Sequence, residues 1–580
     1  MKTPASSGLL RGAFILGTAA ILSKLIGTLQ KIPLQNIGGD GVFGIYTTVY
    51  SFYAFLAVFV TAALPAAISK YVAERTAESD ERGVRKVLFA GLLTACSAGL
   101  LMALGMWSFA PALSGWIGSE HTLLPLRAAA LALLVVPPMA ALRGFFQGLQ
   151  QALPTAVSQV TEQIVRVGVM VALLLTLNAA GASDERIAAG AALGSAGGGL
   201  AGLGAMLLFW RRYGRSGRAW RPSAAKLAVQ AEREAEEEAL RSVGASDAYA
   251  EKEPGFVEAA ADSAERPKRF TSGQWAKRLL IYAVPVFVGS LSQPLLNLVD
   301  TLTVPRLLQG AGWNDLASME QFGVYNRGIP LVQLVFMLAT SLSTLLLPAI
   351  AEAKARGEED RIRSSAGTSL RWLWILGLTA AAGLAALAEP VNVMLYADAE
   401  GTDALRWTAL SAAGGTLGIV SAALLQGIGA VRAPALFLIV SAALKLVLNL
   451  LLVPQMGISG AALAGAVSYM AAALLGVLVL ARLTGLRGGV RRALLQPLLL
   501  AGLTALAAYS ARLLCGVLLS AAELGGRAGA LLTSVAGVAA GVLVFAAALV
   551  YTRAVSDAEL SALPGGAKLA ALARRLRREA

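Results

Sequence analysis

The sequence predicts an all-α polytopic membrane protein with fourteen transmembrane helices, built from two parallel six-helix repeats and two additional C-terminal helices. Hydrophobic residues make up 56% of its 580 residues and charged residues only 14%, whereas a soluble globular chain carries about 25% charged residues. Apolar runs of about 20 residues, each long enough to cross a ~30 Å hydrocarbon core, recur along the whole chain. Short motifs of the first half also return in the second half.

The chain opens with a basic start and an apolar run, which we interpret as a retained first span rather than a removed signal peptide. Further apolar runs follow, interrupted by one long polar segment at 211–276. Its many charged residues predict a solvated linker. The predicted spans are 9–29, 43–67, 87–112, 123–146, 154–178, 187–210, 277–300, 329–351, 372–392, 407–428, 434–453, 459–482, 493–517 and 529–552.

Lys and Arg residues collect at the N-terminus, in alternate connections between spans and in the C-terminal tail. Because such residues mark the cytoplasmic side of a membrane, both termini of this cell-membrane protein are predicted to be cytoplasmic. The net charge of +14 arises from these segments and does not indicate a nucleic-acid partner. The predicted domains are an N-terminal six-helix lobe at 1–210, a cytoplasmic linker at 211–276, a C-terminal six-helix lobe at 277–482, and 483–580 with the two additional helices and a basic cytoplasmic tail.

Three motifs recur in the same order and at a nearly constant offset on the two sides of the linker. Equivalent helices then lie six spans apart and cross the membrane in the same direction. Parallel repeats of this kind form the two halves of transporters that hold a substrate between them and rock around it. The motif pairs are Phe43–Tyr46 with Phe322–Tyr325, Leu64–Ile68 with Leu347–Ile350, and Gln147–Gly148 with Gln426–Gly427.

Polar side chains follow one face of two pairs of equivalent spans. A charge near the bilayer centre costs ~2.5–3.5 kcal/mol, so these faces are predicted to surround a hydrated cavity rather than to face lipid. Three- and four-residue spacings place the side chains of each span on one helix face. They are Lys24, Thr28 and Lys31 in the first span, Gln293, Asn297 and Asp300 in the seventh, Ser158, Gln159, Glu162, Gln163 and Arg166 in the fifth, and Ser441, Lys445 and Asn449 in the eleventh.

Cations predominate on these faces, which predicts a cavity of positive potential suited to a phosphate or pyrophosphate head group. Glu162 and Arg166 lie four residues apart and can neutralise each other, and Asp300 can pair with a cation across the cavity. Interhelical packing remains an alternative role for the polar residues. We predict substrate contacts at Lys24, Lys31, Asn297, Arg327 and Lys445, and ion coupling or gating at Gln159, Glu162, Gln163, Arg166 and Asp300.

Signals for catalysis and for bound cofactors are missing from the sequence. The chain has no phosphate-binding loop of the G-x-x-x-x-G-K-[ST] type. Cys96 and Cys515 both lie in apolar spans, and His121 is the single histidine. We therefore expect a protein that is not an enzyme and that needs no cofactor or metal. The energy for moving a substrate across the membrane is expected to come from the membrane potential or from a monovalent cation gradient.

Four stretches resemble the MOP flippase superfamily and, within it, the polysaccharide-biosynthesis branch of the YtgP and SpoVB type, which is related to the MurJ lipid II flippases. The resemblance covers the chain outside the linker. The MurJ-type motif S-R-x-x-G-x-x-R-D is matched at Ser23, Lys24 and Gly27, but Gln30 and Lys31 replace its last two residues. The four stretches are Leu22–Leu34, Phe43–Phe52, Arg143–Val167 and Tyr325–Ile350, in which Tyr325, Arg327 and Pro330 match a Tyr–basic–Pro pattern.

The resemblance implies a flippase that moves a polyprenyl-pyrophosphate-linked cell-wall precursor, above all lipid II, from the inner to the outer leaflet by alternating access of the two lobes. It also implies that the last two helices form a groove for the lipid tail. The implied partners are this substrate, membrane lipids and the cell-wall synthesis machinery. Alternatives are a flippase for another lipid-linked polysaccharide unit, a sporulation paralogue, and a multidrug/cation antiporter, which the excess of cations disfavours.

Overall fold

Residues 4–216, 270–486, 495–521 and 525–552 are described by a computed structural model, and within these ranges the chain is helical and has no β-strand. The predicted all-α polytopic fold is therefore confirmed. Most of the linker and the C-terminal tail lie outside the described residues. The helices of the first half are α1 Pro4–Leu29, α2 Lys31–Val58, α3 Leu64–Ala77, α4 Glu81–Ser108, α5 Ala110–Ile117, α6 Leu123–Gly148, α7 Ala152–Ala179 and α8 Asp184–Ser216.

In the first half, a π-helical turn, Phe59–Ala63, joins α2 to α3. The second half repeats the order of long helices seen in the first half. The remaining helices are α9 Ser272–Ser290, α10 Ser292–Gly310, α11 Asp315–Asn326, α12 Ile329–Ala355, α13 Glu359–Ala386, α14 Ala388–Tyr396, α15 Thr402–Gly427, α16 Arg432–Met456, α17 Ile458–Thr484, α18 Gln496–Ala521 and α19 Gly526–Tyr551.

Twelve helical segments among the described residues are long and apolar enough to cross a membrane, or 13 when the bent pair α9 and α10 counts as one span. One of the twelve, Leu16–Ala77, is 62 residues long and contains most of the first predicted span and all of the second. The count of fourteen therefore stays a prediction, as do the limits of the lobes. We refer to α1–α8 as the N lobe and to α9–α17 as the C lobe.

Helical hydrogen bonding continues beyond the first predicted span. Helix α1 ends at Leu29, at the predicted limit, but the Gln30 N–H bonds to the Ile26 carbonyl and the Leu34 N–H bonds to the Gln30 carbonyl, so the bonding runs on into α2. The chain turns only at Gly39, whose positive φ of 80° favours glycine over residues with a Cβ. Lys31 consequently stays on the same helical run as Lys24.

The seventh predicted span, 277–300, is broken rather than continuous. Helices α9 and α10 meet at a bend of 62°. The α9 half packs on the N lobe, where the ring of Trp275 lies 5.5 Å from that of Tyr71 and Phe287 lies 5.6 Å from Phe59. The α10 half packs on α16 of the C lobe. One broken helix therefore connects the two lobes.

Small residues bring α7 and α8 into close contact. A Cβ added to Gly198 would lie 2.6 Å from the Glu162 carbonyl oxygen, and one added to Gly194 would lie 2.8 Å from the Arg166 carbonyl oxygen. Real Cβ atoms do not approach backbone oxygens this closely. The glycines of α8 thus hold the polar face of α7 in place, as expected for small residues at membrane helix interfaces.

The two lobes meet where the duplicated motifs meet. Gly44 of α2 and Gly323 of α11 are equivalent residues of the two repeats, and a Cβ on either would be 3.0 Å from the other's backbone nitrogen. The Asn36 side chain also donates to the Leu395 carbonyl at 2.7 Å, and Gln309 donates to the Gly118 carbonyl at 2.7 Å. We call this end of the lobe interface the closed end.

Gly323→Ala is expected to open the closed end. Its Cβ would collide with the Asp40 carbonyl, a backbone group that cannot rotate away. In a chain carrying Asn36→Cys and Leu395→Cys, with both native cysteines replaced, a short bifunctional thiol reagent should link the pair several-fold more slowly than without Gly323→Ala. The matched control is Gly310→Ala, whose Cβ meets nothing within 4 Å. Equal rates in all three chains would contradict the proposed close contact.

Candidate functional site

A set of adjoining cavities lies between the lobes, where the predicted polar faces converge. The largest has a volume of about 270 Å³, and neighbours of about 190 Å³ and 30 Å³ share Gln293 and Gln333 with it. We call this set the central cavity. The lining residues of interest are Ser23, Lys24, Thr28, Gln30, Lys31, Tyr46, Tyr50, Gln163, Arg166, Gln293, Asn297, Gln333 and Lys445.

Lys24 and Lys31 are the cations of the central cavity that have no counter-ion among the described residues. Lys24 is exposed and Lys31 is 8% exposed, and neither forms an ion pair with a described residue. Within the part of the chain that the structure describes, the buried side-chain oxygens of Ser23 and Gln30 next to them lack hydrogen-bond partners. The described lining contains no Asp or Glu, so the cavity has the chemistry of an anion site.

The N lobe holds a buried ionic cluster on α6 and α7. Arg166 donates to one oxygen of Glu162 at 2.5 Å, as the four-residue spacing predicted. Arg143 donates to the other oxygen at 2.9 Å and also to the Ser158 hydroxyl. Sequence reasoning missed Arg143, because its partner Glu162 belongs to another helix. The cluster contains two guanidinium groups and one carboxylate and therefore carries one net positive charge.

The C lobe holds a buried ion pair at the equivalent position. The Lys445 ammonium lies 2.6 Å from an Asp300 oxygen, and both residues are 2% exposed. Tyr325 donates to the same carboxylate at 2.7 Å, and Asn449 donates to its second oxygen at 3.1 Å. Asp300 does pair with a cation, as predicted, but the pair is buried between α10 and α16 of the C lobe and does not lie across the cavity. The roles of Lys445 in substrate contact and of Asp300 in coupling stay predictions.

Arg327 lies at the closed end rather than in the central cavity. Its guanidinium contacts Asp40 of the N lobe and donates to Asp398 at 2.6 Å, while 1% of its side chain is exposed. Burial acts to raise the pKa of Asp398, but hydrogen bonds from Arg327 and from the Glu400 backbone hold that pKa below its usual value. Both acids lie far from Arg327 along the chain, and the contact of Arg327 with substrate stays a prediction.

The remaining predicted residues divide between two cavities. Asn297 and Gln163 line the central cavity, whereas Gln159 lines a separate cavity inside the N lobe. Gln293 and Gln333 connect the parts of the central cavity. Gln333 is absent from the predicted site, although a lone Gln in the apolar run of α12 was a signal for it.

Comparison with known proteins agrees with this architecture. Residues 9–231 match the family described as "Polysaccharide biosynthesis protein", and residues 285–451 match the MatE family. The chain is 33% identical over 577 residues to the uncharacterized membrane protein YabM of Bacillus subtilis (strain 168), covering 97% of this chain and 96% of YabM.

Two further matches concern MurJ. The lipid II flippase MurJ of Bacillus subtilis (strain 168) is 28% identical over 497 residues, covering 83% of this chain and 84% of MurJ. A solved structure of lipid II flippase MurJ in an inward closed conformation shares the fold with a TM-score of 0.59 at 12% identity, covering 92% of this chain and 99% of that one. The chain therefore belongs to the polysaccharide-biosynthesis branch of the MOP flippase superfamily.

Proposed function

We propose that this protein is a flippase that carries lipid II, a polyprenyl-pyrophosphate-linked precursor of the cell wall, from the inner to the outer leaflet. The observation that carries the proposal is the pair Lys24 and Lys31, which lie in the cavity between the lobes without a described acidic partner. Hydrogen bonds from ammonium groups to phosphate are about twice as strong as neutral ones. Both lysines would hold the pyrophosphate while the lipid tail stays in the membrane.

The tail would lie along the additional helices. Helix α18 packs on α13, and its leucines at 506, 513 and 514 are more than half exposed, which presents an apolar surface to lipid. Arg512 of α18 pairs with Glu389 of α14 at 2.6 Å and fixes one end of this surface. This apolar surface supports a tail-binding role for the additional helices, as the family resemblance implies.

Alternating access would operate through the closed end. With both termini in the cytoplasm, the contact between Gly44 and Gly323 lies on the outer side, so the head group would enter from the inner leaflet. Release outward then requires the Arg327–Asp40 ion pair to separate. That step exposes the charges of the ion pair to water and exchanges their mutual hydrogen bonds for hydration. The state with the closed end shut and the state with it open can therefore have similar free energies.

We propose the membrane potential as the energy source, at ~2.3 kcal/mol per elementary charge per 100 mV. The alternative, a monovalent cation at Asp300, has less support, because Lys445, Tyr325 and Asn449 already occupy that carboxylate. Cell-wall synthesis enzymes that use the translocated precursor are the proposed partners.

Complementation tests the substrate. A bacterial strain depleted of its own lipid II flippase should regain growth and outward exposure of labelled lipid II when it expresses this chain. Rescue of a polymer other than peptidoglycan in a strain lacking the corresponding flippase would assign a different lipid-linked precursor. Drug efflux without any rescue would contradict the flippase proposal in favour of an antiporter.

A further inference from the structure

A second cavity lies inside the N lobe, on the other side of Arg166 from the central cavity. Its volume is about 280 Å³. We propose that it is a binding site for a small monovalent anion of the chloride type. The inference is independent of the proposed flippase function. The cavity is formed by α2, the π-helical turn, α3, α6 and α7, and its polar lining residues are Tyr53, Thr61, Arg143, Gln147, Gln159, Glu162 and Arg166.

The charge balance of the lining calls for one anion. The side chains of Arg143 and Arg166 are 12% and 9% exposed, and the single carboxylate between them is 10% exposed. Both oxygens of Glu162 are already engaged, one by each arginine. A buried cation without a counter-ion is unfavourable in a membrane-embedded lobe. One monovalent anion would bring the cluster to neutrality, whereas a divalent anion would leave an excess negative charge.

Unused hydrogen-bonding groups lie at the same place. The Arg166 Nε–H is buried and has no hydrogen-bond partner among the described residues. Gln147 and Gln159 bring further N–H donors in their carboxamides. A water molecule takes ~30 Å³ of liquid volume, so the cavity has room for an anion together with several waters.

The site differs from the proposed head-group site in its residues. Arg166 lines both cavities, but Lys24 and Lys31 line only the central one. One wall is the π-helical turn, and π-helical segments in α-helices occur frequently at functional sites. Phe59 of that turn packs on Phe287 of α9. An anion would therefore stabilise the part of the N lobe on which the broken helix rests.

Chloride binding to the purified full-length chain tests the proposal. Thermal unfolding is measured in detergent while chloride replaces gluconate at constant ionic strength, and bound ³⁶Cl⁻ is counted at equilibrium. We expect a saturable rise in the melting temperature and one chloride per chain. Arg143→Gln removes a charged donor, so its half-saturating chloride concentration should be about tenfold higher or more. Glu162→Gln removes the competing carboxylate and should lower that concentration.

The matched control is Lys24→Ala with Lys31→Ala, which should keep the chloride dependence of the wild type. If the melting temperature of the wild type shows no saturable chloride dependence, the proposal is wrong. It is also wrong if the central-cavity variant loses the dependence while Glu162→Gln behaves like the wild type. Because Glu162→Gln is expected to act in the opposite direction from Arg143→Gln, a general loss of stability in either variant does not imitate the predicted pair of results.

Discussion

Replacement of both Lys24 and Lys31 by alanine should abolish translocation while the protein still folds. Each charge-assisted hydrogen bond contributes ~1.5–3 kcal/mol, so loss of both should slow head-group transfer by about a hundredfold or more. Neither lysine has an acidic partner among the described residues, and Lys31 is buried. Their removal therefore leaves no carboxylate without a partner, and the melting temperature should be unchanged or higher. Transfer is measured as outward exposure of labelled lipid-linked precursor.

The conservative control keeps the charge. Lys24→Arg with Lys31→Arg retains two cations in the cavity and should preserve a measurable fraction of the rate, because guanidinium groups also bind phosphate. Wild-type transfer by the double alanine variant would exclude both lysines as pyrophosphate contacts. A double alanine variant that loses transfer and unfolds at a much lower temperature would assign the lysines a structural role instead.

Asp300→Asn is expected to destabilise the C lobe by ~3–5 kcal/mol, the range measured when one partner of a buried ion pair is removed. The change leaves the Lys445 ammonium, which is 2% exposed, without a counter-ion. It also weakens the hydrogen bonds that Tyr325 and Asn449 donate to the carboxylate. Reversible unfolding of the purified protein in a denaturing detergent measures this difference in free energy.

A double-mutant cycle separates the ion pair from the shape of the site. Lys445→Met in the Asp300→Asn background removes the isolated ammonium and replaces it with an apolar chain of similar length. Most of the lost stability should return, because replacing both members of a buried ion pair is often neutral. Equal destabilisation in the single and the double variant would contradict the buried ion pair at this position.

The sequence was informative about periodic features. Stripes of polar residues in apolar runs predicted which helix faces surround the central cavity, and the structure places Lys24, Lys31, Gln163 and Asn297 there. Periodicity and membrane insertion energy are both properties of a single helix. They can therefore be evaluated from the sequence without knowing how the helices pack. The repeat of the Phe43–Tyr46 motif also predicted that Gly44 and Gly323 are equivalent residues, and the structure places them in contact.

Contacts between helices could not be predicted in the same way. Arg327 pairs with Asp40, which is 287 residues away, and Lys445 pairs with Asp300 at a separation of 145 residues. Only the relative position of helices decides which cation meets which acid. The bend between α9 and α10 was not predicted either, because contacts of α9 with the N lobe stabilise it, and these are contacts between helices.

Reconstitution of the purified protein into liposomes tests the central claim most directly. Fluorescent lipid II is placed in both leaflets, and its accessibility to a membrane-impermeant quencher is followed after a membrane potential is imposed. We predict redistribution of lipid II to one leaflet by the wild type, and background levels for Lys24→Ala with Lys31→Ala. Background levels for the folded wild type, or equal transfer by the two proteins, would contradict it.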